Sequence, residues 1–143
     1  MCIVTWVVSG QDFAAYAFLE RFPKLKRKLE AEDDVWSRGD PVGTKRQRVD
    51  GGFSLTIFDE DTTEGAVAEA RRVLLALEPV RAALEGQEVQ SVLRIGLYVG
   101  TQKSFVPVLN LSREDLQFFA QAGVSVTVLG YPTSEDEDED KAE

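Results

Sequence analysis

Two hydrophobic periods alternate along the chain, one of two residues and one between three and four, and their succession predicts its elements. Cys2 to Val8 is apolar on both faces, with Cys2, Val4, Trp6 and Val8 against Ile3 and Val7, which predicts an interior strand. Asp12 then stands as the cap of a helix carrying Phe13, Ala14, Ala17, Phe18 and Phe22, which Pro23 ends or bends. Leu25 and Leu29 keep helical spacing through a charged stretch, and Asp33 to Pro41 reads as a strand end running into a turn. Two strands are expected next, over 43–49 and 52–58. The second alternates Phe53, Leu55 and Ile57 against Ser54, Thr56 and Phe58, with Asp50-Gly51-Gly52 as the hairpin signal.

From Thr63 the helical period returns. Ala66, Ala70, Val73, Leu77, Val80 and Leu84 form one stripe, with Thr62 or Thr63 and Glu64 as its start signal and Pro79 as a kink or the start of a second short helix. Strands follow over Val89–Val99 and around Phe105–Leu111, the latter holding Pro107, which a central strand would not tolerate. Ser112-Arg113-Glu114-Asp115 has the form of a capping box, and its helix, with Leu116, Phe119 and Ala120 on one face, stops at Gly123. Val124 to Leu129 is the last strand. The order predicts an α+β domain over residues 1–131, with helices on one face of a mostly antiparallel sheet. Its middle is a ferredoxin-like split βαβ, extended by an extra β-α-β.

Composition narrows the chemistry. The 143 residues include no histidine and one cysteine, Cys2, so Cys/His proteases, zinc hydrolases and Ser-His-Asp triads are excluded. With 43% apolar and 29% charged residues the chain suits one domain, and a lone cysteine forms no internal disulfide. Neither a leader sequence nor an apolar run of membrane-spanning length is evident, so a soluble cytoplasmic protein is expected. The net charge is −9, of which the tail after Pro132 carries −6, including six consecutive acids from Glu135 to Asp140. Residues 132–143 are therefore expected to be a disordered acidic tail, either solubilising or competing for a cationic surface such as Lys24-Leu25-Lys26-Arg27-Lys28.

Each candidate constellation has two readings. Trp36-Ser37-Arg38-Gly39-Asp40 places an aromatic, a guanidinium and a carboxylate at a cleft, or it is a Trp on a sheet beside a Gly-Asp turn. Lys45, Arg46 and Arg48 suit phosphate contacts or a charge-protected edge strand, and the negative body argues against nucleic acid. Cys2 becomes a terminal nucleophile if Met1 is removed, or is an ordinary strand residue. Asp33 with Asp34, or Asp59 with Glu60 and Asp61, lack the loop spacing of an EF-hand, so no metal and no cofactor are assigned. If both acid groups lie at one edge of the sheet, they form with Trp36 an anionic patch suited to a cationic active site.

Trp36-Ser37-Arg38-Gly39-Asp40, Gly52-Phe53-Ser54-Leu55, Leu77-Glu78-Pro79, and Leu111-Ser112-Arg113-Glu114-Asp115-Leu116 leading to Gly123 and Tyr131 together resemble the bacterial family called domain of unknown function 4279. The chain departs from the family pattern at Phe53, where a tryptophan is usual, and in a longer Lys24–Asp34 segment. The resemblance implies an immunity protein encoded beside a secreted toxin. Together these readings point to a protein without catalytic residues that binds a cognate toxin through Asp33, Asp34, Trp36, Arg38, Asp40, Asp59, Glu60 and Asp61, and neither nucleic acid nor membrane. The alternative is a small-molecule-binding or regulatory domain using the cleft near Trp36, Arg38 and Asp40.

Overall fold

The computed structural model describes residues 1–32, 34–100 and 106–133. The expected tail thus lies almost wholly outside the described residues, as do Asp33 and the start of the strand expected from Phe105. The described residues form an α+β structure with five helices, a five-stranded sheet and a small two-stranded ribbon. The chain order is β1 (Cys2–Gly10), α1 (Ala15–Leu19), α2 (Pro23–Ala31), β2 (Val35–Trp36), β3 (Pro41–Val42), β4 (Arg46–Gln47), β5 (Gly51–Glu60), α3 (Ala66–Ala76), α4 (Glu78–Leu84), β6 (Gln90–Val99), α5 (Arg113–Gln121) and β7 (Ser125–Pro132). The sheet order is β2-β5-β1-β6-β7, antiparallel except where β7 runs parallel to β6.

β1 is the central strand, paired with β5 on one side and β6 on the other. Its even positions, Cys2, Val4, Trp6 and Val8, are fully buried and join Phe53, Leu55, Leu93 and Ile95 in the core. Every helix contributes to that same core, through Phe18, Leu29, Leu74, Val80 and Phe119 among others. The Trp6 indole N–H donates to Ser91 Oγ at 2.7 Å, which satisfies its one buried donor, and the ring meets Phe53 edge-on at 5.5 Å. The helices therefore lie on one side of the sheet, and α1–α2 and α3–α4 each join strands that have another strand between them.

Several expectations change here. Residues 43–49 are not a strand beside β5. Arg46 and Gln47 pair only with Val42 and Pro41 in the exposed ribbon, since this stretch offers no alternating apolar face to bury. β5 pairs instead with Val35 and Trp36. Gly51 and Gly52 are close-approach positions, not a hairpin turn. A Cβ on Gly51 would stand 2.0 Å from the Phe13 carbonyl, and one on Gly52 would stand 2.3 Å from the Val8 carbonyl and 2.7 Å from the Trp36 ring.

Asp12 does not cap α1, whose N-cap is Ala14 without a side-chain bond. The Asp12 carboxylate pairs with Arg38. Thr62 and Thr63 likewise leave the α3 cap to Gly65, at φ +82°, and the Thr63 hydroxyl donates to the Val108 carbonyl. The long stripe divides at Leu77, where Pro79 falls in the first turn of α4, a position that needs no amide donor. The described part of the expected strand at 105–111 is irregular. The capping box does form: Asp115 N donates to Ser112 Oγ at 3.0 Å and Ser112 N donates to Asp115 Oδ2 at 3.0 Å. Gly123, at φ +73°, follows α5 as expected.

Candidate functional site: two sheet ends and an open face

The Trp36 turn holds itself together. Trp36 Nε1 donates to Asp50 Oδ1 at 3.0 Å, and the Arg48 guanidinium lies over the ring, 4.6 Å from its centroid. Ser37 N donates to Asp40 Oδ2 at 2.7 Å, Arg48 N to the Asp40 carbonyl at 2.7 Å, and Arg38 Nη1 meets Asp12 Oδ1 at 3.3 Å. The Asp34 backbone bridges Leu29 and Ser54. Of the expected basic cluster, Lys45 and Arg46 are exposed, while Arg48 is stacked on Trp36. Beside this turn an open cavity of about 530 Å³ is lined by Ser9, Gly10, Gln11, Asp50, Glu88 and Gln90, among others.

Asp59, Glu60 and Asp61 are exposed at the opposite end of β5. Trp36 pairs with Gly52, whereas Glu60 pairs with Cys2, so eight strand residues, roughly 27 Å, separate the two groups. They do not form the single anionic patch that the sequence suggested.

A β-bulge decides where the second acid group points. Leu55 pairs with Trp6 and Thr56 with Thr5, Ile57 has no partner in the register, and Phe58 then pairs with Val4 and Asp59 with Ile3. Phe58 therefore packs against the core, contrary to the simple alternation, and Asp59 is placed on the face that no helix covers among the described residues. That face carries Asp59, Ile3, Gly96 and Leu129 in one row across the sheet and Thr56, Thr5, Arg94 and Thr127 in the next.

Beyond these rows Tyr98 and Tyr131, paired across β6 and β7, stack with centroids 5.2 Å apart and planes 26° apart. Gly96 makes room for them, since a Cβ there would stand 3.1 Å from Tyr131 Cε2. A shallow cleft of about 160 Å³ opens among Ile3, Arg94, Gly96, Tyr98, Leu129 and Tyr131. Along β6 the apolar alternation of Leu93, Ile95, Leu97 and Val99 masks the intervening positions, whose signal in the sequence is an Arg, a Gly and a Tyr at every second residue opposite an apolar face.

Cys2 is fully buried, and that burial raises its thiol pKa above the ordinary value, outweighing the lowering by the terminal ammonium. A buried thiol of raised pKa is a poor nucleophile. Among the described residues no three His, Cys, Asp or Glu side chains are grouped so as to hold a metal ion, and no helix is long and apolar enough to cross a membrane. Comparison with protein-family models, with curated proteins and with solved structures found no match in any of the three.

Proposed function

We propose that the chain is a non-catalytic binding protein of the immunity type, a stoichiometric inhibitor that covers the cationic active site of a cognate toxin. The observation that carries this reading is the bulge at Ile57, which brings Asp59 onto the uncovered sheet face and leaves Glu60 and Asp61 exposed beside it. A sheet face with Arg94 in its middle rows and the Tyr98–Tyr131 stack and carboxylates at one end supplies anchoring groups and long-range steering together. This relocates the binding surface from Trp36 and Asp40, whose side chains are engaged within their own turn, and from Arg38, which is paired with Asp12, to the open face. Membership of the domain of unknown function 4279 family belongs to the same proposal, as does a ferredoxin-like core. The support for that core is the order β2-β5-β1-β6 with two helical connections that each skip a strand, extended by α5 and β7.

The reading is tested by measuring association of the purified chain with the toxin encoded beside it, for the wild type and for Asp59→Lys. Inhibition at one-to-one stoichiometry, weakened by the substitution, is the expected result. A second reading, a small-molecule-binding domain, is favoured by the 530 Å³ cavity beside Asp50. A thermal-shift screen of small metabolites tests it, and a hit abolished by a cavity substitution such as Gln90→Trp would support it.

A further inference from the structure

The two edges of the sheet are treated differently by the sequence. β2 is two residues long, and its Val35 carbonyl accepts a hydrogen bond from the Tyr16 hydroxyl at 3.0 Å. β7 is eight residues long and pairs, among the described residues, with β6 alone, so every second residue directs its amide and carbonyl away from the sheet. Long edges in soluble proteins are ordinarily protected by charges, bulges or early prolines. Ser125-Val126-Thr127-Val128-Leu129-Gly130-Tyr131-Pro132 holds no charged residue, and its one proline is its last residue.

A second observation falls on the same unit. Among the described residues, Val128 and Tyr131 are large hydrophobic side chains left exposed on β7 itself, so the open edge is bordered by apolar surface, as expected of an interface rather than of a solvated rim.

We propose that a second copy of this chain pairs antiparallel with β7 about a two-fold axis near Val128, joining two five-stranded sheets into one. The occupant follows from complementarity. A strand without charges opposes itself without like-charge contact, and antiparallel pairing brings Val128 of one copy near Val128 of the other. It also places the two Thr133 ends on opposite sides of the axis. The chain's own 134–143 segment is a poor competitor, because Asp and Glu are disfavoured in strands and Ala142 is its one apolar residue. The inference stands apart from the inhibitor reading, since it concerns mass in the absence of any partner.

The test is sedimentation equilibrium of the full chain at physiological salt from micromolar to millimolar concentration, with amide exchange of β7 followed over the same range. The expected result is a mass approaching twice 15.9 kDa, with β7 protection that rises with concentration. Val128→Lys, checked for folding by circular dichroism, weakens the dimer at least tenfold, and Val128→Thr retains it. A 15.9 kDa species at every concentration overturns the proposal, as does β7 protection independent of concentration, which would mean that the edge is covered within one chain. A Val128→Lys protein that dimerises like the wild type also overturns it, because the interface would then lie elsewhere.

Discussion

The Trp36 indole donates to Asp50 Oδ1 at 3.0 Å, and that bond, with Arg48 stacked above the ring, fastens β2 and the 37–50 turn to the edge of β5. The residue that looks most like a ligand anchor in the sequence is therefore a structural fastener. Trp36→Phe removes the hydrogen bond and leaves the Asp50 carboxylate without its donor, a loss of about 1 kcal/mol in chemical denaturation. Partner affinity, measured on the folded variant, is expected to stay within twofold of the wild type. Gly52→Ala is the more damaging change at this site, because the new methyl meets backbone and ring at once.

Charge at the rim of the open face should act on encounter. Reversing Asp59, Glu60 and Asp61 together is expected to lower the association rate with a cationic partner by roughly tenfold at low ionic strength, with a smaller effect on dissociation. Stopped-flow measurements at several salt concentrations check this. Asp40→Asn, at the opposite end of β5, should leave the rate unchanged and instead loosen the turn it closes at Ser37.

The Cys2 thiol should be silent in the folded protein. Burial raises its pKa, so at neutral pH it is protonated as well as enclosed. A chromogenic disulfide reagent is expected to titrate no thiol in native protein and one per chain in denaturant. Rapid native labelling would contradict the placement of Cys2 in β1.

Asp115 ties acid sensitivity to the helix layer. The Ser112 amide, first, and then Arg71, at 2.8 Å, hold its carboxyl below the ordinary Asp value of 3.8. Because the folded value is the lower one, this contribution to stability is complete above about pH 4 and is lost as pH falls through the folded value. Asp115→Asn should flatten the stability profile in that acid window alone. Ser112→Ala, which removes the cap itself, costs about 1 kcal/mol at neutral pH, where the Asp115 carboxylate is charged in both states.

What could be read in the sequence was local. The apolar faces of β1, the Ser112–Asp115 box and the stop at Gly123 depend on neighbours within one element, and each is found where the pattern puts it. The pairing of β5 with Val35–Trp36 is set by the fit of an indole over Gly52, a contact that no period announces. The same holds for Asp12, which lost its capping role to an ion pair with Arg38, a residue far along the chain. The bulge at Ile57 is the instructive case, because one unpaired residue exchanged the faces of Phe58 and Asp59 and so moved the candidate site. The acids were visible as acids. Their separation from Trp36 followed only from the length and register of β5.

The measurement that bears most directly on the central claim is calorimetric titration of the toxin that the proposal requires as partner with three proteins: wild type, the open-face variant Asp59→Lys/Tyr98→Ala, and the turn variant Trp36→Phe. The account predicts one-to-one binding by the wild type and by Trp36→Phe, with affinity lowered at least a hundredfold in the open-face variant. Binding abolished by Trp36→Phe in a folded protein and untouched by the open-face changes would contradict it.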